Sequence, residues 1–156
     1  MIRATVRSDL GAMAALHVQG FAEAWSEVSI GMLLESAAVF ALITQDKTGF
    51  ILARTAAGEA EILTIAVAPR ARRSGIGRAL VQAAAIRARE QGAGAVFLEV
   101  AVSNRAARGL YEGLGFRQAG LRKGYYKAAP GAPAEDALLL RADLPLRPLG
   151  NAAGLD

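Results

Sequence analysis

A single domain of the α/β (α+β) kind, built on a central mixed and mostly antiparallel sheet flanked by helices, is predicted by three observations. Apolar, β-branched runs between residues 38 and 67 are joined by tight turns, so they must lie side by side and antiparallel. A long Ala- and Leu-rich run then leads into a buried strand, Ala95 to Val100, which reads as a strand–helix–strand crossover. Two last strands, Phe116–Leu121 and Asp136–Ala142, close the chain as a hairpin.

Each element has a local reason. Ile2–Val6 is a short strand, and Ser8-Asp9 offers an N-cap for a helix from Leu10 that ends on Gly20. Ser26 caps a second short helix reaching about Ser36. Ala38–Thr44 and Phe50–Thr55 flank Gln45-Asp-Lys-Thr-Gly49, a hairpin turn, and Ala57-Gly58 turns the chain into a strand ending near Val67. Pro69 stops that strand, and Gly75 and Gly77 open a helix through about Gln91. Ser103-Asn104 caps a helix to about Glu112, which Gly113-Leu-Gly115 stops. Lys127–Ala134, rich in Ala and Pro, is expected to be a loop. From Asp143 the periodicity is lost, so residues 1–145 are expected to form the domain and 146–156 a flexible tail.

Composition removes several functions. At 156 residues the chain can bury a core without staples. It contains no cysteine, which excludes disulfides and a thiol nucleophile. A single histidine, His17, makes a zinc site or a Ser-His-Asp triad a poor reading; no metal is expected, and His17 reads as a helix-face residue. Mean hydropathy is +0.29, yet no apolar run is long enough to cross a membrane, and the N-terminus lacks a signal-peptide core, so a cytoplasmic protein is expected. A net charge of +4 favours an anionic ligand. Aromatics are only 6% and do not interleave with the basic residues, so a nucleic-acid platform is not expected.

The stretch Glu61-Ile-Leu-Thr-Ile-Ala-Val-Ala-Pro-Arg-Ala-Arg-Arg-Ser-Gly-Ile-Gly-Arg78 organises the rest. A strand, a basic glycine loop and a helix start present unpaired N–H groups and a positive dipole end to an anion. An ordinary glycine-capped turn has the same appearance. A Walker loop would need Gly-Lys-Ser/Thr, and a dinucleotide fingerprint a glycine where Leu80 stands.

The arrangement Arg72-x-x-Gly75-x-Gly77 resembles the acetyl-CoA pyrophosphate loop of the GNAT family of N-acetyltransferases. A second stretch, Leu98-Glu-Val-Ala-Val-Ser-Asn104 through Tyr111-Glu-Gly-Leu-Gly-Phe116, resembles the family's other signature, and the two occur in the family's order. Ala24-Trp-Ser-Glu27, Leu98-Glu-Val100, Tyr125-Tyr126 and Glu135-Asp-Ala137 are similar to the RimI type, which acetylates the N-terminal alanine of a small-subunit ribosomal protein.

The resemblance implies a GNAT fold, acetyl-CoA as co-substrate and a protein N-terminus as acceptor, in a monomer or weak homodimer. It implies Glu99 as general base, with Glu61 in reserve, and Tyr111 as general acid; a surface carboxylate and a core tyrosine are the plain alternatives. It puts the backbone of Ile65, Ala66 and Val67 against the acetyl and pantetheine portion, with the Val67 N–H as oxyanion donor. It puts Arg72, Arg73, Ser74, Gly75, Ile76, Gly77 and Arg78 around the pyrophosphate, and Asn104 on coenzyme A. Trp25, Tyr125, Tyr126 and Asp136 fall on the acceptor side, although Glu135-Asp136 reads equally well as a charged turn. Ala134 stands where the family usually has a basic residue, which leaves the acceptor open; a small amine is the alternative, and a coenzyme A-binding module without turnover is a third reading.

Overall fold

The computed structural model describes residues 1–126 and 134–147. The described strands are β1 (Ile2–Ala4), β2 (Val39–Thr44), β3 (Gly49–Ala56), β4 (Glu59–Val67), β5 (Ala95–Ala101), β6 (Arg117–Tyr126) and β7 (Glu135–Asp143). They form one sheet in the order β1-β2-β3-β4-β5-β7-β6. The helices are α1 (Leu10–Gly20), α2 (Glu27–Leu34), α3 (Ile76–Glu90) and α4 (Arg105–Gly113). Every neighbouring pair is antiparallel except β4 and β5, which the α3 crossover makes parallel.

The sheet has two unequal faces. On one, α3 and α4 bury Leu80, Val81, Leu98, Val100 and Leu114 in a continuous core. On the other, α1 and α2 bury Met13, Leu16 and Ile30 against Phe50 and Leu52. These two helices pack on β2, β3 and β4. The second face of the β5-β7-β6 half therefore carries partly exposed residues: Phe97, Glu99, Leu139 and Arg122.

A bulge in β4 sets which residues meet which face. Leu52 pairs with Thr64 and Ala53 with Ile62, so Leu63 is the extra residue. Ile62 and Ile65 consequently face the α3 side, while Leu63 and Ala66 face α1 and α2. Strict alternation would have put Ile62 and Ile65 on opposite faces.

Two sequence expectations are corrected, the cap of α1 and the length of the sixth strand. Asp9 does not cap α1 through its side chain; its carboxylate instead accepts the Val6 N–H at 2.8 Å and binds Arg3. The sixth strand continues past Leu121 to Tyr126. The second hairpin strand, β7, pairs with β5, which pushes β6 to the sheet edge. After β7, the Leu144 N–H donates to Gly94 O at 3.0 Å, and Leu144 and Leu146 pack on the core. The expected loop at 127–133 and the tail from 148 lie outside the described residues.

Candidate active site

The site is a gap that the fold opens between its two parallel strands. Pairing of β4 with β5 runs from Glu59↔Ala95 to Glu61↔Phe97 and goes no further. Beyond it, Ile62–Val67 and Leu98–Ala101 offer unpaired edges to each other. The direction of the β4 backbone follows from one hydrogen bond, Ala68 N–H to Thr48 O at 2.7 Å. Groups alternate along an antiparallel pair, so the N–H and C=O of Val67 point away from β3 and into the gap. Arg72 confirms the direction, donating from Nε to the Val67 carbonyl at 3.2 Å.

The glycine loop closes one end of this gap. Arg73 and Gly75 both sit in the left-handed region, with φ of 62° and 86°. At Gly75 a side chain would be strained, and Gly75 is the N-cap of α3. The first helical bond is Ala79 N–H to Gly75 O at 3.0 Å, so the N–H groups of Ile76, Gly77 and Arg78 precede the ladder and point out of the helix start. Ser74 Oγ donates to Ala71 O and holds the loop. Arg72 and Arg73 are exposed and Arg78 is half-buried. Backbone donors, a positive helix end and three guanidinium groups make an anion site.

At the mouth, Glu99 and Tyr111 come from opposite sides. Glu99 projects from β5 onto the open face, and its side chain is 22% exposed. Asn104 caps α4 by accepting the Ala107 N–H on Oδ1 at 3.2 Å, which orients the helix carrying Tyr111. The Tyr111 ring is buried against Phe116, with centroids 5.5 Å apart. Burial, with a smaller contribution from Tyr126, pushes its hydroxyl up to about 12, so it holds its proton at neutral pH. Tyr126 is close enough to feel the charges of Tyr125, Glu99 and Glu135, and burial raises its own pKa first. Tyr125 and Tyr126 meet edge to face at 5.1 Å.

Other predicted residues stand elsewhere or have partners of their own. Trp25 stacks on His17 at 5.0 Å and packs over the α1–α2 core rather than on the tyrosines. Asp136 Oδ1 accepts the Gly124 N–H at 2.8 Å, and Glu135 accepts the Ser103 N–H at 2.7 Å, so both carboxylates tie backbone together. Glu61 pairs with Arg54 at 2.8 Å, both side chains nearly half exposed. His17 is not a surface residue: it is 1% exposed, bonded from Nε2 to Thr64 Oγ1 at 3.1 Å, with Nδ1 accepting the Trp25 N–H at 3.0 Å.

Sequence reasoning missed Arg122. It reaches from the edge strand to Glu99 Oε1 at 3.2 Å, and its guanidinium lies 4.7 Å from the Tyr125 ring centroid. The contact requires β7 to lie between β5 and β6, an order no local pattern in the sequence specifies. Together Arg54, Glu61, Phe97, Glu99, Arg122 and Leu139 line a cleft of about 460 Å³ on the open face.

A carboxylate, a hydroxyl that keeps its proton and a backbone N–H on the unpaired β4 edge are the groups a transfer needs in which one proton leaves the nucleophile and another reaches the leaving group. The family model described as the acetyltransferase (GNAT) family matches residues 11–116, and the chain belongs to that family and is an N-acetyltransferase. The [ribosomal protein bS18]-alanine N-acetyltransferase of Escherichia coli is 34% identical over 131 residues, covering 81% of this chain and 87% of that protein. The N-alpha-acetyltransferase RimI of Mycobacterium tuberculosis is 42% identical over 92 residues, 59% of this chain and 54% of that one. The crystal structure of the Escherichia coli ribosomal-protein-S18-alanine N-acetyltransferase superposes with a TM-score of 0.82 at 29% identity, over 96% of this chain and 97% of that one. The expected GNAT fold is thus the observed one.

Proposed function

We propose that this protein transfers the acetyl group of acetyl-CoA to the N-terminal α-amine of a protein, with the terminal alanine of a small-subunit ribosomal protein as the first candidate acceptor. The observation that carries the reading is the gap between β4 and β5 beyond Glu61↔Phe97, with Glu99 on the β5 side of it. Relatives named for alanine and α-amine acetylation, similar over most of this chain, support the acceptor class. The described residues contain no helix long and apolar enough to cross a membrane, and a reaction on ribosomal protein belongs in the cytoplasm. Residues 1–145 carry the activity in this reading, and 146–156 lie beyond it.

The chain's residues fit acetyl-CoA on an observation of their own: Gly75 leaves the start of α3 open, and nothing stands within 4 Å of where a Cβ would be. Ile76, Gly77 and Arg78 offer backbone N–H groups to the pyrophosphate, while Arg72, Arg73 and Ser74 close round it. Ile65, Ala66 and Val67 extend along the thioester arm, and Asn104 offers its free amide side. When bound, acetyl-CoA supplies an electrophilic carbonyl and a thiolate leaving group. Glu99 removes the proton of the incoming ammonium, through a water. The Val67 N–H supports negative charge on the carbonyl oxygen as it develops. Tyr111 gives its proton to the departing sulfur. Tyr125, Tyr126 and Asp136 shape the acceptor side, the last by holding the β6–β7 hairpin.

The test is coenzyme A release from acetyl-CoA with a panel of acceptors. It includes a peptide starting Ala-Arg, the same peptide with a blocked N-terminus, a Met-starting peptide and several small amines. Turnover with the free Ala peptide and none with the blocked one is expected. Turnover confined to small amines would keep the chemistry and discard the protein acceptor.

A further inference from the structure

We propose that Arg122 is a positioning residue for this reaction: it fixes the carboxylate of Glu99 and joins it to Tyr125, so that the base and the acceptor wall are set as one unit. The inference rests on reading Glu99 as the base.

Register with β7 runs Arg122↔Ala137 and then Tyr126↔Glu135, so two extra residues are accommodated in β6 between those pairs. Gly124, with φ of 62°, makes the irregularity, and Asp136 Oδ1 pins it through the Gly124 N–H at 2.8 Å. The bulge turns Tyr125 back over Arg122, whose guanidinium lies 4.7 Å from the ring centroid. A flat strand would place residues three apart on opposite faces.

The second step crosses the sheet. β5 and β6 are separated by β7, and neighbouring strands lie about 4.8 Å apart, so Arg122 must span about 10 Å to reach Glu99. It can do so because the residue opposite it is Ala137, whose methyl group leaves room above β7. Leu139, two pairs along on the same face, stands opposite Glu99 itself. The result is one contact, Arg122 Nη2 to Glu99 Oε1 at 3.2 Å, in the open cleft. The contact is an ion pair on an exposed guanidinium, and neither Glu99 oxygen accepts a protein hydrogen bond among the described residues.

Arginine suits both halves of this task, since its planar cation can pair with a carboxylate and stack on a ring at once. Lysine can do only the first. Steady-state kinetics on R122Q, R122K and Y125A, varying acetyl-CoA and an acceptor peptide separately, therefore test the proposal. In R122Q, turnover is expected to fall about tenfold as the base loses its orientation, and the acceptor KM to rise. R122K should restore turnover to within about twofold while its acceptor KM stays raised, because the charge is kept and the stack lost. Y125A should raise the acceptor KM alone, and adding R122K to it should raise it no further. The acetyl-CoA KM should stay constant throughout. Arg122 is 59% exposed, so none of these variants endangers folding. R122Q with wild-type kinetics, or R122K no better than R122Q, overturns the proposal. E99Q separates this failure from a deeper one. Full turnover in E99Q removes both the base and its positioning residue, whereas an inactive E99Q beside a normal R122Q removes only the role of Arg122.

Discussion

Two of the arginine–carboxylate pairs of this fold, Arg3–Asp9 and Arg122–Glu99, have surroundings that give them opposite uses. Asp9 is fully buried; Arg3 grips it at 2.8 and 3.0 Å, the Val6 N–H adds a bond at 2.8 Å and Lys47 approaches to 3.6 Å. The Arg3 hydrogen bond first, and the Val6 N–H second, hold its carboxyl well below the usual carboxylate range. Glu99 has one cation on one oxygen, at the wall of an open cleft. A buried carboxylate held by three hydrogen bonds is committed to the fold, whereas one with a single ion pair at a cleft wall keeps its acceptor sites open to a ligand.

The comparison is sharpened most by removing the free carboxylate. E99Q keeps shape and hydrogen-bonding capacity but cannot accept the proton, so turnover is expected to fall by about 100- to 1,000-fold with acetyl-CoA affinity retained. Calorimetric titration of acetyl-CoA alongside the rate assay checks both halves. Y111F should cost about 10- to 100-fold, since water can partly replace a general acid. With its hydroxyl pushed up to about 12, Tyr111 stays protonated over ordinary assay conditions. The ratio of wild-type to Y111F rates should therefore be flat from about pH 6 to 9. A ratio that collapses inside that range breaks the assignment.

The committed carboxylate should respond in stability instead. D9N leaves Arg3 and Lys47 without their partner and is expected to cost about 2 kcal/mol, read as a lower urea midpoint, with turnover per folded molecule unchanged. The pH sign follows from the lowered native pKa. The unfolded carboxyl takes a proton first, so this contribution is fully present above about pH 4 and is lost as pH falls below it. D9N should flatten that part of the acid-unfolding profile. An equally steep profile in D9N would assign the acid sensitivity to other groups.

The same contrast explains what was legible in the sequence. The meander, the α3 crossover and the glycine loop are local: tight turns, a proline stop and Gly75 at the cap lie within a few residues of what they control. Glu99 and Tyr111 have positions that follow from the strand and the helix that carry them, each within a single stretch of sequence. Arg122 was not legible, because its contact depends on β7 inserting between β5 and β6 and on a bulge near Gly124. Asp9 was misread for a related reason. A cap signal is local, but Arg3 and Lys47 arrive from neighbouring elements and outbid the helix start. His17 likewise became a core residue through Thr64, 47 positions away.

The smallest effect decides the remaining rivalry between carboxylates. Glu61, the second carboxylate on the central strand, lies on the same open face as Glu99 and lines the same cleft. It differs in position and partner. Its register partner is Phe97, the last point at which β4 and β5 still pair, so it sits where the gap has not yet opened. Its carboxylate is bound to Arg54 at 2.8 Å, and both side chains are nearly half exposed. Exposed pairs of this kind contribute about 0–1 kcal/mol, so E61Q should scarcely move the melting temperature. Turnover should stay within about twofold of wild type, because Glu99 keeps both its strand and its arginine. A loss in E61Q as large as in E99Q would move the proton transfer two residues along the sheet, to the closed end of the gap.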